Sequence, residues 1–450
     1  MSTSLNKRIA LFILLLLMKT QLSIAQTTLD NYIQQAFKSN DGLKQQKIQL
    51  DKSLYALKEA NSLFLPNVSL QGSYVRSKGG RTIDFPIGDL LNPIYTTLNH
   101  LTASENFPQV QNASIQLNPD NFYDAKFRTA LPLINAEIYY NQKIKKELIN
   151  QQQAAVNVYK RELVKSIKTA YYQYYQAQKA VEIYNSALVL VNENIRVNES
   201  LLRNGVRNNT ALTRSQTEKE KIDAAVTQAM NTAKNAKAYF NFLLNRDLAA
   251  DIDIDTTLFR ESAPQTKKVN EREELVQLTT GIAAYSMAEK MQRSYLVPKL
   301  NTFLDLGSQG FDFKYDNKTQ YFMWGVNLQW DLFAGGQHRY KTMQAKADVD
   351  ALQAQYSQTE KALQLQMEQA QNNYNTAQAN YNSAKKQATL ANKYYTDQLK
   401  VYKEGQLLYI ELVDALNQNT GAQLQLSLAQ AGVLSALADI ERNQASYPIN

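Results

Sequence analysis

The chain contains no cysteine. That single absence excludes disulfide frameworks, thiolate metal sites, cysteine nucleophiles and a lipidated N-terminal cysteine. Its two histidines, His100 and His338, stand far apart and neither has an acid or second histidine at ligand spacing, so neither a metal nor a cofactor is expected. Glycine (15) and proline (9) are scarce in 450 residues. Turns are therefore few, and the elements long and helical. With 20% charged residues and a mean hydropathy of −0.44, a bundle of membrane-spanning helices is excluded. Enzyme signatures are missing too: there is no Gly-rich phosphate loop, no Gly-x-Ser-x-Gly elbow, no His-Glu-x-x-His, and no paired carboxylates outside helical surface runs.

One apolar run is present, at the start. Lys7 and Arg8 precede Ile9 to Met18, and Ser23-Ile24-Ala25 precedes Gln26. This pattern predicts a secretory signal peptide over residues 1–25, with a core too short to span a bilayer. Cleavage removes Lys7, Arg8 and Lys19 and no acid, taking the formal charge from +8 to +5. So mild a charge on an exported chain gives no reason to expect nucleic acid as a partner.

The chain resembles itself at an offset of 200 residues. Core-type residues recur at 163, 167, 170, 174, 177, 181, 184, 188, 191 and 195, and again from Leu363 through Met367, Ala370, Tyr374, Ala377, Tyr381, Ala384, Ala388 and Ala391 to Tyr395. The alternating spacing of four and three is a heptad seam. Each seam runs into a glycine, Gly205 or Gly405, which reads as a helix C-terminal cap. Helices of about 69 and 68 residues, over 136–204 and 337–404, follow, each on the order of 100 Å long. Shorter helices are expected over about 29–64, 210–245, 271–296 and 410–442. A first repeat thus occupies 26–246, a linker or collar 247–270, and a second repeat 271–450.

Between the helices the period changes to two. Tyr123, Ala125, Phe127, Thr129 and Leu131 alternate with Asp124, Lys126 and Arg128. Phe322, Trp324, Val326, Leu328, Trp330 and Leu332 alternate with Tyr321, Met323, Gly325, Asn327, Gln329 and Asp331. Two more strands begin after Pro66 and Pro298. The four strands are predicted over about 67–77, 122–134, 299–308 and 321–333. One apolar and one polar face suits a membrane barrel or a soluble sandwich. Export, and the lack of any helix able to span lipid, favour the barrel. Phe322 to Trp330 is eight steps, about 26 Å along the strand, and Phe322, Trp324 and Trp330 are the expected membrane-interface aromatics. Four strands cannot close a barrel, and open edges are not tolerated in lipid, so the chain must oligomerise.

The order of short helix, Pro-led strand, second strand, very long helix, glycine turn and descending helix, done twice, resembles the TolC family of outer-membrane efflux and secretion channels. The matching residues are Leu65-Pro66-Asn67-Val68 and Val297-Pro298-Lys299-Leu300 at the first strand of each half. Leu131-Pro132-Leu133-Ile134-Asn135 and Trp330-Asp331-Leu332-Phe333-Ala334-Gly335-Gly336 match where the second strand enters the long helix. The resemblance spans essentially the whole mature chain. It implies a mostly α fold with a small β-barrel contribution, in which three copies form a twelve-stranded outer-membrane barrel continued by a periplasmic α-helical barrel. It also implies a passive exit duct in the outer membrane of a Gram-negative bacterium. The implied partners are two further copies, a periplasmic adaptor, an inner-membrane pump of the RND or ABC type, and outer-membrane lipid.

By the same resemblance the helix tips, Asn204-Gly205-Val206 and Glu404-Gly405-Gln406, contact the adaptor, although most of the family's flanking hydrophobes are absent. Tyr402, Glu411 and Asp414 are the implied constriction. A spacing of three puts both carboxylates on one helix face, and threefold repetition would stack two acidic rings. The first half lacks an acid after its turn, and Arg214 is expected to form an ion pair across the tip. Pro66 to Pro132 spans 66 residues against 33 from Pro298 to Asp331, so the extra length, within about 77–120, reads as a long extracellular loop. The competing reading is a periplasmic coiled-coil adaptor or scaffold that never enters lipid.

Overall fold

A computed structural model of the chain describes residues 28–255 and 272–449. The signal segment 1–25 lies outside the described residues, as do residues 256–270 of the expected collar. The chain divides into two compact units, each drawn from both sequence repeats. Met1–Leu54, Glu147–Ala283 and Asp350–Asn450 belong to a helical unit, and Tyr55–Lys146 with Ala284–Val349 to a strand-bearing unit.

In chain order the helices are α1 (Thr28–Ser39), α2 (Asp41–Ser62), α3 (Ile87–Leu101), α4 (Ala136–Arg203), α5 (Asn209–Leu243), α6 (Glu273–Arg293), α7 (Gln337–Lys403) and α8 (Tyr409–Asn443). The strands are β1 (Asn67–Val75), β2 (Thr82–Phe85), β3 (Ala113–Gln116), β4 (Phe122–Ile134), β5 (Lys299–Phe311) and β6 (Gln320–Gln329). The helix expected over 29–64 is broken at Asn40. Its side chain accepts from the Leu43 N–H at 2.9 Å and donates to the Leu243 carbonyl at 2.8 Å, so one residue caps α2 and ties it to the end of α5. The strand expected to reach residue 333 ends at Gln329, and Trp330 follows it.

The long helices α4 and α7 have 68 and 67 residues and contain neither proline nor glycine. Asn135 caps α4, its Oδ1 accepting from Glu137 and Ile138. In α7 the predicted seam is the buried stripe: Ala370, Tyr374, Ala384, Ala388 and Tyr395 are buried, while Leu365 and Leu390 on other faces are exposed. In α4 the seam holds from Leu163 to Ala177 and again at Val191, while Ala187, Asn194 and Asn198 are buried beside it.

The core of the helical unit gathers around Ile33, Ile167, Tyr171, Phe240 and Leu244. Burial of each such side chain stabilises by about 2 kcal/mol. Tyr32 meets Phe240 edge-on at 5.2 Å, and Tyr171 lies 5.7 Å from the same ring. Arg161 and Glu273 form a buried pair at 2.7 Å, and Arg161 also donates to the Tyr447 carbonyl, so the segment after α8 is held against α4 and α6. Arg272 and Arg442 both bind Glu274, at 3.0 and 2.6 Å.

In the strand-bearing unit, β1, β4, β5 and β6 form one antiparallel sheet in the order β1-β4-β5-β6. The strand pairs of the two repeats are thus joined through β4 and β5. The connection between β1 and β4 folds into a β2-β3 ribbon with α3 between its strands.

Candidate functional site: sheet faces and helix tips

The strand registers align the predicted alternation into continuous rows. Leu70, Phe127, Leu306 and Phe322 stand side by side across all four strands, and Val68, Thr129, Leu304 and Trp324 form the next row. This face has no cover: Leu70, Phe322 and Trp324 are 69%, 77% and 67% exposed. Two rows beyond Phe322, Tyr74 pairs with Tyr123, and the turn after β5 folds Phe313 back onto them. Phe313 stacks on Tyr74 at 5.2 Å and on Tyr123 at 5.5 Å, with Tyr315 4.7 Å from Tyr123. The apolar rows are therefore flanked by this aromatic group at one end and by Trp330 at the helix end, while Phe322 sits within the rows. Alternation along single strands could not reveal Phe313 or Tyr315, because they lie in a turn.

The opposite face is polar. Arg128 grips Asp305 with two bonds, Nε to Oδ1 at 2.7 Å and Nη2 to Oδ2 at 2.6 Å. Lys126 bonds Asp124 at 2.8 Å, and the Tyr321 hydroxyl donates to the same carboxylate at 2.7 Å. Arg128 also lies 5.1 Å over the Phe303 ring, which occupies the space where Gly325 has no side chain. Alternation placed Asp124, Lys126 and Arg128 on this face; Asp305 emerged only when β5 was set against β4.

At the helix tips, Gly205 and Gly405 adopt φ of 67° and 78°. Each ends its helix with the paired bonds of a Schellman cap: Gly205 N to Leu202 O with Val206 N to Leu201 O, and Gly405 N to Tyr402 O with Gln406 N to Val401 O. Asn204 and Glu404 are exposed at these turns. Tyr402 is fully buried, its hydroxyl donating to Asn198 of α4. Burial pushes its pKa up, and Tyr395, buried two turns earlier on the same stripe, is pushed to about 12. Arg207 crosses between the tips. Its guanidinium donates to the carbonyls of Gly405, at 3.0 Å, and Leu407, and lies 5.6 Å over the Tyr402 ring. Arg214 is exposed instead. Lys403 adds a contact at 3.5 Å to Glu193, whose carboxyl is held down at about 2, chiefly by hydrogen bonds from Arg196.

Glu411 and Asp414 are exposed on α8, while Leu412, Val413, Ala415 and Leu416 are buried. Gln418 donates to Asp414 at 2.7 Å and continues the exposed stripe. Tyr402 is thus a packed contact between helices and the two acids form a free polar face. Among the described residues no cluster could hold a metal ion, and no helix is long and apolar enough to cross a membrane.

Residues 269–443 match the family model of the outer membrane efflux protein. No curated protein sequence matches the chain. Among solved structures, the outer-membrane channel OprN is 19% identical, with a TM-score of 0.73 over 93% of this chain and 90% of that one. The outer membrane protein VceC from Vibrio cholerae is 14% identical, with a TM-score of 0.71 over 92% and 95%. The MtrE outer membrane channel of Neisseria gonorrhoeae, solved in its open state, is 14% identical, with a TM-score of 0.73 over 92% and 88%. The resemblance to TolC-family channels therefore holds in sequence for the second half and in fold along nearly the whole chain.

Proposed function

We propose that this chain, with an efflux-protein match over its second half and the fold of outer-membrane channels, is the exit duct of an export system. Three copies join their sheets into a twelve-stranded barrel in the outer membrane of a Gram-negative cell and continue it as a helical barrel in the periplasm. The observation that carries this reading is the sheet. It has a continuous apolar face with no cover, a charged and hydrogen-bonded opposite face, and two unpaired edges, β1 and β6. Such edges are untenable in lipid unless the β6 of one copy pairs with the β1 of the next. Lipid then contacts the Leu70–Phe322 rows, and the Arg128–Asp305 face lines a water-filled lumen. The exposed flanks of α7, including Leu365 and Leu390, supply surface for neighbouring copies.

No catalytic step belongs to this reading; the duct conducts passively and draws its energy from its partners. The capped tips around Gly205 and Gly405 are the adaptor-contacting surface, with Asn204, Val206, Glu404 and Gln406 beside them. An inner-membrane pump of the RND or ABC type completes the assembly, whether for efflux or for type I secretion. Tyr402, with Arg207 and Asn198, holds the tips together, and repeated Glu411 and Asp414 form acidic rings that favour cations. Membrane fractionation tests the whole reading. An outer-membrane trimer whose gel mobility changes on heating is expected; a fully soluble mature protein would establish the scaffold reading instead.

A further inference from the structure

The segment between β1 and β4 is a built fold. Asn92 of α3 clamps Val110 from both sides, donating to its carbonyl at 3.0 Å and accepting from its N–H at 2.8 Å. Asn99 does the same to Phe107, at 2.8 and 3.0 Å. Tyr95 packs on Phe107 at 5.8 Å, and Gly88 passes so near the Val110 carbonyl that a Cβ there would stand 2.3 Å from it. This bonding occupies one side of α3. The other side carries Leu90, Ile94 and Leu101, spaced by four and seven on one helical face and 67%, 54% and 74% exposed. The β2-β3 ribbon carries a second uncovered apolar surface: Ile83 pairs directly with Ile115, and both are exposed, as is Phe85.

Residues 82–119 contain no lysine or arginine, and their acids are Asp84, Asp89 and Glu105. An anionic lipid surface needs cations that this fold lacks. The segment's formal charge is therefore −3, but Leu90, Ile94, Leu101, Ile83, Phe85 and Ile115 are all uncharged, so the two apolar patches themselves can meet without repulsion. A closed ring of identical chains needs two different complementary patches on each copy, one for each neighbour. The helix stripe and the ribbon face are two such patches, on a fold that leaves β1, the edge strand at which copies are proposed to join. We infer that α3 of one copy docks through Leu90, Ile94 and Leu101 onto the Ile83–Ile115 ribbon face of the next, stapling the trimer at the barrel end away from the long helices. This rests on the trimeric duct reading and adds a second contact between copies.

Because the chain has no cysteine, the test is direct. The full chain carrying Ile94→Cys and Ile115→Cys is treated in outer membranes with a short bis-maleimide and separated under denaturing conditions. Covalent dimers and trimers are expected from the double variant and only monomers from either single variant. A control pairing Glu105→Cys with Ile115→Cys should also give only monomers. An unheated trimer that yields only monomeric product, or a product joined to another protein, overturns the inference. Absence of any unheated trimer overturns the duct reading itself. Replacing Leu90 and Ile94 with Asp should lower the temperature at which the trimer dissociates; an unchanged temperature also counts against the staple.

Discussion

Arg207→Ala should loosen the helix tips. The guanidinium makes hydrogen bonds to the carbonyls of Gly405 and Leu407 and lies over the Tyr402 ring. A hydrogen bond to a charged group contributes about 1.5–3 kcal/mol, and a cation over an aromatic face about 0.5–1 kcal/mol at partly exposed sites. Arg207 is half-buried, so solvent takes up part of the loss, and a net cost of about 2–3 kcal/mol to the joined tips is a fair sum. That shifts a closed-to-open equilibrium by roughly 30- to 150-fold. A tip open about 1% of the time would then be open for roughly a quarter to three-fifths of it. Single-channel recording in planar bilayers measures this as open probability. Arg207→Lys, which keeps the charge but not the fork, should fall between parent and Ala. If Arg207→Ala forms intact trimers with the parent's open probability, the tip contact is not a latch and the reasoning fails.

Replacing Glu411 and Asp414 with Ala should abolish cation preference in bilayers; an unchanged reversal potential in a salt gradient would show that the acids do not line a constriction. Leu306→Arg, in the middle of the apolar rows, should cost about 2–4 kcal/mol in lipid and reduce the assembled outer-membrane fraction. Wild-type yield of heat-modifiable trimer would mean that this face does not meet lipid. Asp305→Ala leaves Arg128 without its carboxylate and should lower trimer heat resistance more than the double change with Arg128→Met. Equal losses would deny the pair its role. Burial alone would raise the Glu274 carboxyl, but hydrogen bonds from Arg272 and Arg442 outweigh it and bring it from 4.5 to about 2. Because the folded pKa is lowered, this stability, about 2 kcal/mol after allowance for partial solvent access, is present above about pH 4.5 and is lost as pH falls towards 2. Glu274→Gln should show a smaller drop in thermal midpoint over that window than the parent, and superimposable pH profiles would refute it.

The sequence by itself determined whatever depends on neighbours along the chain. Heptad spacing placed α4 and α7, because 3.6-residue periodicity is local, and Gly205 and Gly405 marked their ends because a left-handed residue is needed there. Period-two alternation separated the faces of β4 and β6. Only the tertiary structure decided which strand lies beside which, and hence that Leu70, Phe127, Leu306 and Phe322 share a row. Asp305 finds Arg128, and Arg207 finds the Gly405 carbonyl, across sequence separations of 177 and 198 residues. No periodicity spans that distance. Such partners are fixed by packing between the two repeats, where one residue of register would carry each side chain to the opposite face.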